Sequence, residues 1–275
     1  MELKNKWVSA KFSTTAAEVV SFKANDSNIE YIWSGDKTFW QNRNPILFPV
    51  VGKSWGESYL VDNKEYSMGQ HGFARYATFE CTKATSEEVE LVLVSDENTL
   101  KQYPYHFQLS VNYQLEQKKL WLRYQIKNTD NKPILFQIGF HPAFCTPLTN
   151  DKSFDDYKVI MEKDEDMIIE SGYHLRKEIS FVNNDFFQER NAVFFYGLKS
   201  EYVDLTDGDN GIRVGIANFK RVGFWHKTKD TPFVCVEPQH GHGYAATDNN
   251  DLPEDNTIVL DVGCDYKVAY YWEIL

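Results

Sequence analysis

Between Phe107 and Ile126 the chain alternates apolar and polar residues with a period of two, and this pattern limits the fold more than any other feature. Phe107, Leu109, Val111, Tyr113 and Leu115 interleave with Gln108, Ser110, Asn112 and Gln114. Leu120, Leu122, Tyr124 and Ile126 repeat the pattern after a turn at Glu116 to Lys119. Successive side chains on a strand point to opposite faces, so each run predicts a strand with one face in a core. Asn128 to Pro133 predicts another turn. Ile134 to Ile138 then reads as the third strand of one meander, delivering its end to His141.

Other segments extend this reading. Val89 to Val94 predicts a strand, and Ser95 to Gln102 a short helix capped by Ser95 or Asp96 and stopped by Pro104. Tyr202 to Leu205 and Ile212 to Ile216 flank the Gly- and Asp-rich Thr206 to Gly211, a hairpin signal. Residues 265 to 273 read as a closing strand, and the acidic stretch Asp151 to Asp166 as a long loop or edge strand. Nowhere do strands alternate with long amphipathic helices, which argues against a doubly wound parallel sheet. The expected class is all-β, a large antiparallel β-sandwich. With 42% hydrophobic and 15% aromatic residues the chain has ample core material. No repeat or Pro/Gly/Ser-rich linker divides it, so residues 1–275 are read as one domain.

Charge and targeting signals narrow the partners. A net charge of −11 argues against a nucleic-acid surface, which needs clustered Lys and Arg, and disfavours anionic membranes. It leaves a small anionic substrate open, because one or two arginines in a cleft can outweigh the mean field there. Met1 to Lys11 has no apolar core segment, and no run approaches the roughly 18 apolar residues of a membrane span. The expectation is a soluble, cytoplasmic protein. Cys81, Cys145, Cys235 and Cys264 lack zinc-site spacing and are expected to be mostly buried, reduced thiols.

The chemistry is concentrated in Gln70-His71-Gly72-Phe73-Ala74-Arg75, Gly139-Phe140-His141-Pro142-Ala143-Phe144 and Val236-Glu237-Pro238. These supply two histidines and a carboxylate in stiff, aromatic-flanked settings, where a proton donor and a proton acceptor can face one small molecule. His141 precedes a proline, which pushes its backbone toward extended or turn geometry. Glu237 follows the apolar run Phe233 to Val236 and also precedes a proline, so it reads as the terminal residue of a buried strand. His240 and His242 read as loop residues rather than metal ligands, and Asp204 to Asp209 as a hairpin rather than a calcium loop. Trp225 and Trp55 suit either a sugar face or a core. With no Gly-x-Ser-x-Gly and no phosphate-binding glycine loop, cofactor-free acid–base catalysis fits best.

The run Arg43-Asn44-Pro45-Ile46-Leu47-Phe48-Pro49-Val50-Val51-Gly52, followed by Tyr59, Tyr66, His71 to Arg75, Gly139 to Phe144 and Cys235 to Pro238, resembles the aldose 1-epimerase (mutarotase) family, in its LacX-like branch. The resemblance implies a galactose mutarotase-like β-supersandwich with a sugar in a cleft. It also implies interconversion of the α and β anomers of a hexose or hexose phosphate. On that basis Glu237 would be the base that takes the proton of the C1 hydroxyl, His141 the acid that protonates the ring oxygen, and His71 a second histidine near that oxygen. Arg43 and Arg75 would bind substrate. An imidazolium near its ordinary pKa of about 6.5 suits such a reversible proton transfer. The chain departs from the branch after the glutamate, where Pro238 leads into Gln239-His240-Gly241-His242-Gly243 rather than a tryptophan. Two other readings stand beside this one: a sugar-binding or sensing protein without turnover, and a glycoside-cleaving enzyme, which would need a second carboxylate beside the bond.

Overall fold

The computed structural model describes residues 1–53, 58–62, 64–168, 173–182, 186–187, 191–242 and 257–275. Two large antiparallel sheets face each other. The first has nine strands in the order Glu178–Ser180, Lys158–Met161, Tyr202–Thr206, Gly211–Gly215, Asp265–Ile274, Lys119–Asn128, Phe107–Glu116, Glu88–Val94 and Glu80–Ala84. The second has six: Ala192–Tyr196, Arg221–Trp225, Phe233–His240, Ile138–Phe140 and Ile46–Leu47 in order, with Ala143–Cys145 also pairing to Phe233–His240. A smaller sheet of Glu2–Lys4, Val8–Phe12 and Val19–Ala24 carries the N-terminus.

The period-two runs become the centre of the nine-stranded sheet. Leu120 pairs with Leu115, Leu122 with Tyr113, Tyr124 with Val111 and Ile126 with Leu109, so one apolar face is continuous across both strands. That face meets the second sheet through aromatic rings. Phe140 lies 4.1 Å from Tyr124 and 4.8 Å from Tyr270 between ring centroids, and Phe144 lies 5.3 Å from Trp272. Such contacts add to the stabilisation from burying the rings themselves. Asp96 caps the short helix Glu97–Gln102, accepting from the backbone N–H groups of Asn98 and Thr99, while Thr99 Oγ1 accepts from the Asp96 N–H. The strands Tyr202–Thr206 and Gly211–Gly215 form the expected hairpin.

Several expectations are corrected. Ile134 to Ile138 does not continue the meander. Ile134–Phe136 pairs with Ile258–Leu260, and Ile138–Phe140 enters the six-stranded sheet between Phe233–His240 and Ile46–Leu47. Asp265–Ile274 takes the place beside Lys119–Asn128 instead. The reason lies in burial: Ile138, Gly139 and Phe140 are all buried, the signature of a strand covered on both faces rather than one. Lys158–Met161, within the acidic stretch, is an interior strand rather than a loop or edge, because Val159 and Met161 turn into the core. Of the cysteines, Cys81 and Cys264 are exposed rather than buried; each sits on a solvent-facing segment, and all four are free thiols.

Glu237 is likewise not a strand terminus but lies inside Phe233–His240. Proline is excluded from strand interiors because it cannot donate to a neighbour. Here the Val236 N–H points to the side where Pro142 O accepts it at 3.2 Å, and Pro238 shares that side by parity. Its missing N–H therefore falls where Ile138–Phe140 hands over to Ala143–Cys145, and the strand runs on to His240.

Candidate active site

The six-stranded sheet sorts its residues by parity. Val193, Phe195, Val222, Phe224, Val234 and Val236 join the core, whereas Ala192, Phe194, Arg221, Trp225, Glu237 and Gln239 line a cleft of about 420 Å³ on the other face. That size suits a monosaccharide with room for a substituent. In the strand register Glu237 stands opposite Gly223, and Gly223 opposite Phe194. A Cβ on Gly223 would come within 2.4 Å of the Phe194 ring, so the absence of a side chain there lets Phe194 lie against the sheet beside the carboxylate.

His141, arriving from the neighbouring strand end, meets Glu237 directly: its Nε2 lies 3.2 Å from Glu237 Oε1. Both side chains are almost wholly buried. The imidazole is wedged between Trp40 and Trp225, with ring centroids at 4.9 and 5.2 Å. The second carboxylate oxygen, Oε2, accepts from the Gln239 side-chain amide at 2.8 Å. Gln239, which stands where the branch has a tryptophan, is buried two residues along the same strand face and orients the carboxylate. Gln239 Oε1 and His141 Nδ1 are buried without protein partners.

Burial moves the acid–base pair in opposite directions. It pushes Glu237 up to about 8, against the opposing influence of Arg221, Gln239 and Arg75. It drives His141 well below the ordinary histidine value, with His71 and Arg75 acting in the same sense. An imidazolium near 6.5, expected from the sequence, is therefore not what this site holds. Both shifts favour the uncharged pair at neutral pH, a protonated Glu237 carboxyl 3.2 Å from a neutral His141 ring.

His71 is held differently. Its backbone sits in the left-handed region at φ +66°, its N–H donates to Gly52 O at 2.7 Å, and its ring Nδ1 accepts from the Gly52 N–H at 3.0 Å. Accepting at Nδ1 leaves the proton of the neutral ring on Nε2. Burial, reinforced by Arg75 and Arg221, pulls its pKa down to about 3, which holds the ring neutral. The ring stands 5.9 Å from that of His141, nearly perpendicular. This geometry depends on Gly72, at φ +70°, where a Cβ would fall 2.2 Å from Phe48 O. Gly72→Ala is expected to cost about 2–4 kcal/mol through backbone strain and collision. A urea midpoint unchanged from the parent would contradict this account of the turn.

Arg75 lines the cleft from the turn Ala74–Tyr76. Arg43 does not: its guanidinium pairs with Glu18 at 3.6 Å, and its backbone N–H donates to the same carboxylate at 2.7 Å. Trp225 lines the cleft, while Trp55 and Gly243 lie outside the described residues. His240 closes its strand against the Asn218 carbonyl. Arg221, Trp40, Phe194 and Lys227 line the cleft and were not among the expected residues. The alternation Arg221-Val222-Gly223-Phe224-Trp225 is the signal that turns Arg221 outward. A larger recess of about 660 Å³ on the outer face of the nine-stranded sheet, lined by Ser110, Asn112, Arg123, Gln125 and Lys267, contains no imidazole–carboxylate pair among the described residues.

Sequence and structure comparisons converge. The profile of the family described as aldose 1-epimerase matches residues 1–251. The plasmid protein LacX of Lactococcus lactis subsp. lactis is 28% identical over 95% of this chain and 94% of its own length. The crystal structure of a galactose mutarotase-like protein from Lactobacillus casei superposes with a TM-score of 0.89 at 29% identity, covering 100% of this chain and 99% of that one. A galactose mutarotase related enzyme from Lactobacillus acidophilus gives 0.90 at 25% identity, over 100% and 97%.

Proposed function

Because the chain belongs to the aldose 1-epimerase family, we propose that it is an isomerase interconverting the α and β anomers of a hexose or hexose phosphate by acid–base ring opening. The observation that carries this reading is the buried contact of His141 Nε2 with Glu237 Oε1 at 3.2 Å inside a sugar-sized cleft. A binding protein has no need for a matched acid and base sharing a proton.

In the reactive form the shared proton is on His141 and Glu237 is ionised. Glu237 takes the proton of the C1 hydroxyl, the bond between C1 and the ring oxygen breaks, and His141 delivers its proton to that oxygen. The C1 aldehyde turns over. The ring oxygen then attacks the other face of C1, returning its proton to His141, while Glu237 returns a proton to the C1 oxygen. The site ends as it began. In this reading His71 donates from Nε2–H near the ring oxygen, and Arg75 and Arg221 favour the ionised carboxylate. The proton count is the same whether the pair is neutral or ionic, so pH does not choose between these two forms.

Saturation transfer between α and β signals of equilibrated glucose, galactose and their 6-phosphates tests the proposal, with accelerated exchange expected for at least one. No acceleration for any of them would defeat it. The pH dependence has a definite sign. Raising pH through about 8 strips the last proton from the pair, leaves no acid, and lowers the rate. On the acid side a second proton on the pair removes the base, and the rate falls again. A rate that climbs steadily through pH 8 would contradict proton sharing.

A further inference from the structure

Two arginines outside the cleft have carboxylate partners: Arg43 pairs with Glu18, and on the outer sheet Arg213 makes two hydrogen bonds to Asp204 at 2.7 and 2.9 Å. Arg75 and Arg221 differ. Both line the cleft and neither takes part in an ion pair among the described residues, while the Nε of each is buried without a hydrogen-bond partner, as is that of Arg43. Arg221 stacks 3.6 Å over the Phe194 ring and reaches only the Gly241 carbonyl, at 3.5 Å. Arg75 lies 5.2 Å from the Tyr76 ring. Burial acts against the charge of both guanidiniums, yet arginine remains protonated in proteins.

A desolvated cation without a counter-ion is costly, and scarcity of carboxylates does not account for it: the chain has 40 acidic against 29 basic residues. Lys227 adds a third cation to the lining, its ammonium donating to the Phe39 carbonyl. Among the described residues, Glu237 is the single carboxylate in that lining. An ordinary hexose would leave this excess of positive charge uncompensated.

We propose that the substrate is a phosphorylated aldose whose phosphate is gripped by Arg75 and Arg221. This rests on the anomer-exchange reading of the same site, which also constrains where the phosphate is attached. C1 must carry a free hydroxyl facing Glu237 and His141, so the phosphate is borne by another carbon. Two guanidiniums and an ammonium match a dianion; the single charge of a uronic acid would leave more of the cationic surface unbalanced. Paired, charge-assisted hydrogen bonds to phosphate are the strong use of arginine.

The test compares kcat/KM for glucose and galactose, their 6-phosphates and glucuronate, alongside calorimetric titration with inorganic phosphate, which reports the anion site without turnover. A 6-phosphate is expected to be preferred over its parent sugar by about 100-fold or more, with inorganic phosphate both binding and competing. In Arg221→Met and Arg75→Met that preference is expected to collapse toward unity and phosphate binding to be lost, while Arg221→Lys retains part of each. Phosphate titration of the unaltered protein keeps the test valid if a variant fails to fold. Free sugars turned over as well as their phosphates, or glucuronate preferred to both, would overturn the proposal. Arginine-dependent binding of phosphorylated sugars with no anomer exchange would support the anion site while rejecting the epimerase reading.

Discussion

Glu237→Gln is expected to lower kcat for anomer exchange by roughly 10²–10⁴-fold, the range associated with loss of one general acid–base group, while the fold and sugar binding survive. The substitution keeps the volume of a side chain that is almost fully enclosed, so no cavity opens. It also keeps an oxygen and adds an amide that can reorganise with Gln239, whose own amide donates to the carboxylate at 2.8 Å. What it removes is the ability to take a proton from a hydroxyl. Saturation-transfer rates measured beside calorimetric affinities separate these effects. Turnover close to the parent value would remove Glu237 from the base role, and undiminished binding by a parent protein that never turns over would favour the sugar-binding reading.

His141→Asn is expected to cause a loss of similar size, about 10²–10⁴-fold, and to change the shape of the pH profile. In the parent, raising pH through about 8 removes the proton that His141 must deliver, and the rate falls. Without the imidazole, residual exchange depends only on an ionised Glu237, so the rate should rise with pH through that carboxylate's titration instead of falling. A purely structural histidine would give no such inversion. It would show itself as a loss of stability, because the ring is packed between Trp40 and Trp225. Thermal unfolding and the pH–rate profile together discriminate: a variant that merely unfolds, or one whose profile keeps its parent shape, would count against His141 as the acid.

The parts legible in the sequence are those governed by local rules. Alternation from Phe107 to Ile126 placed two strands and their core face, because pleating converts spacing directly into direction. Asp96 was readable as a helix cap, since capping needs only the next three residues. His141 and Glu237 stood out through the prolines after them. Ile134 to Ile138 does not join the meander because its pairing is long-range, with Ile258–Leu260, and Ile138–Phe140, buried throughout, has no alternation to read. Arg43 and Arg221 show why the lining of the cleft was only partly visible. Arg43 sits in a conspicuous motif, yet Glu18, 25 positions earlier, holds it away from the cleft lining. Arg221 enters the cleft only because its strand pairs with Phe233–His240 in one register, setting it opposite Gln239. Register across strands is a long-range property, absent from any local window. The titration of His141 was misjudged for the same reason: burial comes from the whole fold, not from neighbours in sequence.

The strand Phe233–His240 and its partner Arg221–Trp225 form a ladder whose outward rungs differ in kind. One rung sets Cys235 beside Trp225, the next Glu237 beside Gly223, the third Gln239 beside Arg221. Rungs on one face repeat about every 6.6–7 Å along a strand, roughly the span of a sugar ring. An aromatic ring, a carboxylate and a cation thereby occupy separate addresses on one rigid frame. A lineage can revise the charged rung while the carboxylate of the middle rung stays where it is.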